Sequence, residues 1–197
     1  MDNLITVRIP ILGQLQVGKS TLFSQITYGT PSKMIHSSSG DFLNIFKVYK
    51  PNIPQGIKFI ELKGENDHVI KLVLLDDPEC SISSEDLGGY IAGASAILLL
   101  FDVTDRDTTM ELQELVEELE RLEPGVDTVF HTWLVGNKVD LREVMRGSPV
   151  DDSISYKEGK ELAEELGCIE YFEISALTGE GVPELLQDMI EFLTVGY

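Results

Sequence analysis

Gly13-Gln14-Leu15-Gln16-Val17-Gly18-Lys19-Ser20 is the stretch that decides how this chain folds. The octet fits G-x-x-x-x-G-K-[ST], and it stands between an apolar run, Leu4–Leu12, and a helix-period stretch over residues 19–27. The glycines let the backbone curl so that successive N–H groups face one point, and the helix N-terminus adds partial positive charge there. Gly13, Gln16, Val17, Gly18 and Thr21 are therefore expected to line a phosphate site. Lys19 supplies a compact cation for terminal phosphates, and the Ser20 hydroxyl is placed to ligate Mg²⁺. Such a loop has this use only between a strand and a helix, which is the context found here.

Outward from the loop, apolar runs alternate with helix-period stretches. Residues 57–62 and 68–75 read as two strands joined by Gly64-Glu65-Asn66-Asp67, a hairpin signal. Residues 97–101, 129–135 and 170–174 read as three more strands. Helices are expected over 83–92, from Thr108-x-x-Glu111 (read as a capping box) to about residue 122, from Ser155-x-x-Glu158 to about Gly167, and over 183–193. The pattern predicts one α/β domain over residues 1–197, with a six-stranded, mostly parallel sheet, one antiparallel edge strand and helices on both faces. Pro10 removes a ladder donor from the first strand and predicts an irregularity just before the glycine loop.

Three further motifs follow strands directly. Asp76 ends the run Leu72-Val73-Leu74-Leu75, and a carboxylate at a neighbouring strand tip is where a second Mg²⁺ contact belongs beside such a loop. Asn137-Lys138-Val139-Asp140 places a carboxylate that can accept from a ring N–H and an adjacent amino group, the pattern that guanine presents and adenine lacks. Ser175-Ala176-Leu177 offers small residues and a backbone N–H close to where a base carbonyl would lie. A parallel sheet brings all four to its carboxyl edge, where such folds bind ligands.

The chain carries 15 basic and 34 acidic residues, a net charge of −19, which is expected to repel nucleic acid and anionic membranes. No run of eighteen apolar residues occurs, and the N-terminus lacks the basic start of a secretory signal. The two cysteines, Cys80 and Cys168, form no C-x-x-C pattern, and free thiols in a cytoplasmic protein are expected. His36, His68 and His131 lack metal-ligand spacing and read as surface or packing residues.

With those motifs in place, the sequence resembles the Ras superfamily of small GTPases, and within it the Rab-like branch. The resemblance runs over nearly the whole chain. It is carried by Phe101-Asp102-Val103-Thr104-Asp105, Val135-Gly136-Asn137-Lys138-Val139-Asp140-Leu141, Ser155-Tyr156-Lys157-Glu158-Gly159-Lys160 and Glu173-Ile174-Ser175-Ala176-Leu177-Thr178-Gly179. It implies a small G domain binding GDP or GTP with Mg²⁺. By it, Asp140 holds the guanine edge, Asn137 braces the loops, Lys138 flanks the base and the Ala176 N–H meets the base carbonyl.

The departures cluster where the γ-phosphate would lie. The family's D-x-x-G-Q segment is here Asp76-Asp77-Pro78-Glu79-Cys80. Glu79 replaces the glycine and brings a repelled carboxylate, while Cys80 replaces the water-orienting glutamine with a weak donor and acceptor. The switch threonine has no counterpart, since no Thr occurs between Thr30 and Thr104, and Ser37, Ser38 or Ser39 are the available substitutes. Leu15 would crowd an arginine supplied by an activating partner. The C-terminal Thr194-Val195-Gly196-Tyr197 has no cysteine for prenylation, so no lipid anchor is expected. A GDP/GTP switch with slow or atypical hydrolysis is the expectation, with regulatory or effector proteins meeting residues 30–56 and 77–92. The apolar patch Phe42, Leu43, Ile45, Phe46, Val48 and Tyr49 reads equally as a partner surface or as self-packing. The alternatives are a nucleotide-bound module that does not hydrolyse, and an ATP-using phosphate-loop enzyme, which would show no guanine preference.

Overall fold

A computed structural model describes residues 4–29, 35–36, 42–48, 57–63, 69–76, 84–122, 131–147 and 152–194. Eight strands occur: β1 (Leu4–Leu12), β2 (Ile35–His36), β3 (Phe42–Val48), β4 (Ile57–Lys63), β5 (Val69–Asp76), β6 (Ala96–Asp102), β7 (His131–Asn137) and β8 (Glu170–Glu173). The helices are α1 (Lys19–Ser24), α2 (Ser84–Ile91), α3 (Asp107–Leu122), α4 (Val139–Met145), α5 (Tyr156–Glu165) and α6 (Val182–Thr194), with α1 continuing into a wider π turn, Gln25–Gly29.

The strands form one sheet in the order β2-β3-β4-β5-β1-β6-β7-β8. From β5 to β8 all pairs are parallel, and β2–β3, β3–β4 and β4–β5 are antiparallel. The six strands read from the sequence are all present, and the α/β class is as expected. The count of six falls short of the structure: residues 30–56, which are rich in Ser, Pro and Gly and carry no strand signal in the sequence, contain β2 and β3, and the antiparallel side is three strands deep instead of one. The apolar stretch Phe42–Val48 forms β3, and the Ser, Gly and Pro residues on either side of it hide a strand pattern in the sequence.

Strand β6 is buried along its whole length, which explains why it reads as an unbroken apolar run. Its residues alternate between two cores. Ala96, Leu98 and Leu100 join Val7, Ile9, Ile11, Leu22, Phe23 and the α6 residues Leu185, Leu186, Met189 and Ile190. Ile97, Leu99 and Phe101 join Leu87, Ile91, the α3 residues Leu112, Leu115 and Leu119, and Ala163 of α5. Helices thus cover both faces, and the period of two sorts the side chains between them.

Pro10 causes no bulge. The β1–β5 register runs unbroken from Leu4↔Val69 to Ile11↔Asp76. Arg8 bonds Ser95 on the β6 side, and Pro10 points the same way, two residues on. The β6 ladder starts only at Ile11↔Leu98, so the missing donor falls just before it.

Two helix starts differ from each other. Ser155 and Glu158 form the expected capping box on α5. Thr108 caps nothing: its Oγ1 donates to the Asp105 carbonyl at 2.6 Å, and the Asp105 carboxylate accepts from the Asp107 N–H instead. The helix begins two residues earlier than the T-x-x-E pattern implied, and Thr108 is buried in its first turn.

Candidate nucleotide-binding site

The parallel strands deliver the predicted loops to one edge. The phosphate loop follows β1, Asp76 ends β5, Asp102 ends β6, Asn137 ends β7, and Ser175 lies just past β8. Asp76 stands beside Ile11 in the register, one residue before the end of β1. Glu79, Cys80, Ser37–Ser39, His68 and the turn 64–67 lie outside the described residues.

The phosphate loop cannot be built with larger residues at its glycines. Gly13 has φ 145 and a Cβ there would strike the Leu100 carbonyl; Gly18 has φ 102 and a Cβ there would strike Asn137 Nδ2. Gln16 sits at φ 65 with its side chain exposed, and Val17 is fully buried. Lys19 is only 5% exposed, and its Nζ donates to the Gly13 and Gln14 carbonyls at 2.8 Å each. The lysine therefore spans its own loop, drawn over the concavity that its backbone makes. Ser20 and Thr21, in the first turn of α1, have exposed side chains.

One side chain fastens this loop to the predicted base-reading loops. Asn137 Nδ2 donates to the Val17 carbonyl at 2.8 Å, and its Oδ1 accepts from the Ala176 N–H at 2.9 Å. Asn137 is 2% exposed, so all three loops meet away from water. This is the bracing role expected of it. It also changes the expectation for Ala176, whose N–H is engaged with Asn137 here. Ser175, fully buried, accepts from the Thr178 N–H at 3.1 Å and closes the turn, while Leu177 stands largely exposed beyond it. Lys138 adopts φ 68 and starts α4, a short helix that carries Asp140 in its first turn and that the sequence reading missed.

A bidentate ion pair supports this end. Arg142 of α4 donates to both Glu173 oxygens at 2.6 and 2.7 Å, and to the Ile154 carbonyl at 2.7 Å. The Tyr171 hydroxyl donates to the same carboxylate at 3.0 Å. Burial first, and then the Glu173 charge, push that phenol above its ordinary range, while the Glu173 bond holds the Arg142 guanidinium more firmly protonated. Tyr171 fills the space left by Gly136 and Gly159, where a Cβ would collide with it.

An open cleft of about 970 Å³ runs from Gly13, Gln14, Leu15, Gln16 and Val17 past Asp102 and Lys138 to the acidic side of α3. Gln14 Nε2 bonds Glu111 at 2.5 Å across it, and Leu15 is 61% exposed at its rim. The Lys138 ammonium pairs with the Asp102 carboxylate at 2.5 Å. Sequence reasoning missed Asp102, although it shares the signal that singled out Asp76: a carboxylate that ends an apolar strand. Among the described residues, no cluster of three His, Cys, Asp or Glu suited to a metal occurs. Cys168 is a free thiol whose pKa burial raises, and His131 packs edge-on against Phe192.

The geometry defines an α/β protein in which the glycine-rich loop after β1 and the loops after β7 and β8 share one brace, Asn137. A model of the Ras family matches residues 56–194. The yeast GTP-binding protein YPT52 is 30% identical over 96% of this chain and 82% of its own length. Ras-related protein Rab-4 of Dictyostelium discoideum is 28% identical (92% and 76%), and Ras-related protein RAB1BV of Beta vulgaris is 31% identical (91% and 72%). This chain belongs to the Ras family, on its Rab-like branch. It is thereby a small GTP-binding switch protein that works with regulatory and effector proteins. No described helix is long and apolar enough to cross a membrane.

Proposed function

We propose that this protein is a GDP/GTP switch with intrinsically slow hydrolysis, built as one G domain over residues 1–197. The carrying observation is Asn137, which ties the Val17 carbonyl to the Ala176 N–H and so fixes the phosphate and purine ends of one site. The residues present suit a nucleotide: the loop's glycines admit no Cβ, and a buried lysine lies across the loop's own carbonyls. The proposed phosphate contacts are Gly13, Gln16, Val17, Gly18, Lys19, Ser20 and Thr21. Asp140 would accept the guanine N–H groups, Lys138 would flank the ring, and Ser175, Ala176 and Leu177 would frame its carbonyl side. Because the Ala176 N–H already serves Asn137, a base carbonyl would share that donor.

Mg²⁺ would be held by Ser20 and Asp76, screening charge between the phosphates. Lys19 would turn its donors from the loop carbonyls toward phosphate oxygens. The water-orienting position is where the reading departs from an ordinary member of the family. Cys80 cannot orient water and phosphate together, and Glu79 would place a second carboxylate beside the γ-phosphate. Regulatory or effector proteins would engage residues 30–56 and 77–92.

Single-turnover phosphate release from GTP-loaded protein tests this. Slow release that an added partner or extract accelerates is expected, and Cys80→Gln alone restores little while Glu79 remains. Fast intrinsic release contradicts the reading. GTP that persists under every added partner instead favours an interaction module that does not hydrolyse.

A further inference from the structure

Asp102 is held more firmly than a strand-end carboxylate on a cleft needs to be. Its Oδ1 accepts from the Thr104 N–H at 2.9 Å and the Thr104 hydroxyl at 2.7 Å, and its N–H donates to Thr108 Oγ1 at 3.1 Å. Its Oδ2 is left for Lys138, at 2.5 Å. The residue is 7% exposed, and it pairs in register with Asn137, the brace of the whole site. Lys138 meanwhile occupies a left-handed conformation that a long side chain seldom adopts, and it lines the same cleft as Gly13, Gln16 and Val17.

A four-carbon stem ending in an ammonium loses considerable rotamer freedom when it is fixed. A carboxylate itself fixed by two donors can impose that loss before a ligand arrives. We infer that Asp102 is a positioning residue for the nucleoside: it pins Lys138 across the site so that the stem offers a ready apolar face to the purine. The inference rests on the proposed nucleotide site and concerns how that site is set. The pair also has a second effect, because Lys138 neutralises a carboxylate that would otherwise repel the phosphates of the ligand.

Release of fluorescent GDP from the full chain measures this. Asp102→Asn keeps the acceptor for Thr104 but loses the charge that holds Lys138. Dissociation should quicken about five- to tenfold, the cost of one long side chain left to be ordered at binding. GDP and IDP should be affected alike, because neither residue reads the exocyclic amino group, and thermal unfolding of the variant should stay near that of the parent. In a Lys138→Ala background the same substitution should cause no loss, and should slow release if anything, because the carboxylate is then an uncompensated repulsion. A merely structural Asp102 would give the same loss in both backgrounds, and that outcome overturns the inference. Should Asp102→Asn not fold, Lys138→Met, which keeps the stem and removes the pin, should raise the rate by a similar factor; an unchanged rate overturns it. A parent protein that holds no GDP sinks the proposed site itself, whereas tight binding by the parent and an unaltered Asp102→Asn sink the pinning alone.

Discussion

The two ends of the site are built by different means. At the proposed purine end, protein groups satisfy one another: Asn137 joins three loops, Lys138 meets Asp102, and Arg142 meets Glu173 with both nitrogens. At the proposed phosphate end, Lys19 folds back on the carbonyls of its own loop, and Gln16, Ser20 and Thr21 stand exposed. The first end is fixed by tertiary contacts among protein groups. The second is a loop whose charge is held in readiness. On the proposed reading, a polyphosphate would bind a protein of net charge −19 against the long-range field, so the local cation and the loop's N–H groups would carry its affinity.

Lys19→Ala should break this comparison most severely. It removes the cation from the phosphate end and leaves the purine end intact, so GDP affinity should fall about 100-fold or more, as for loss of a desolvated charge contact. Isothermal titration with GDP and with guanosine separates the ends: guanosine binding, weak in the parent, should be unchanged. Equal losses for both ligands would show that the ends are not separable.

Gly18→Ala attacks the join. The new Cβ would meet Asn137 Nδ2, and φ 102 is strained for any L side chain, so about 2–4 kcal/mol should be lost in stability together with nucleotide binding. Denaturant melts of the two proteins check this, and an unchanged midpoint would mean that Asn137 yields easily.

Arg142→Ala should cost about 2 kcal/mol, because it leaves the mostly buried Glu173 carboxylate without its partner. Since the purine end alone loses support, discrimination between GDP and other purine nucleotides should weaken while pyrophosphate binding holds. Competition binding reads both.

The smallest effect lies away from the site and calibrates the others. The Ser155 hydroxyl and N–H, with Arg106, hold the Glu158 carboxyl at about 2, below its ordinary value near 4.5. A depressed folded pKa stabilises above the unfolded value and is lost as pH falls through the folded one. The contribution of this cap should therefore fade between pH 4.5 and 2. Glu158→Gln should cost under about 1 kcal/mol at neutral pH, and the difference from the parent should vanish in that window; a pH-independent difference would assign the loss to packing.

Much of this was legible in the residues. The phosphate loop, the N-K-x-D loop and the parallel strands that carry them were found because each has a local signature at fixed spacing. The brace role of Asn137 came from family resemblance, and its two partners, 120 and 39 residues away, could only be seen in three dimensions. Strands β2 and β3 were overlooked because turn residues around Phe42–Val48 outweighed its apolar pattern. Helix α4 was overlooked because seven residues with no buried side chain give no period to read. Thr108 shows the opposite error: a correct local motif overruled by the Asp105 carboxylate two residues before the helix. Asp102 was missed for lack of a partner in sequence, since the Lys138 it faces lies on the next strand's loop.

Competition of bound fluorescent GDP by unlabelled GDP and by ATP tests the shared pocket most directly. One molecule of GDP per chain should displace the probe, while ATP at about thousandfold excess should not, because the Asp140 carboxylate would face an acceptor at adenine N1 in place of guanine's donor. Displacement by ATP at concentrations similar to GDP would contradict the account, by showing that the loop after β7 takes no part in reading the ligand that the loop after β1 holds.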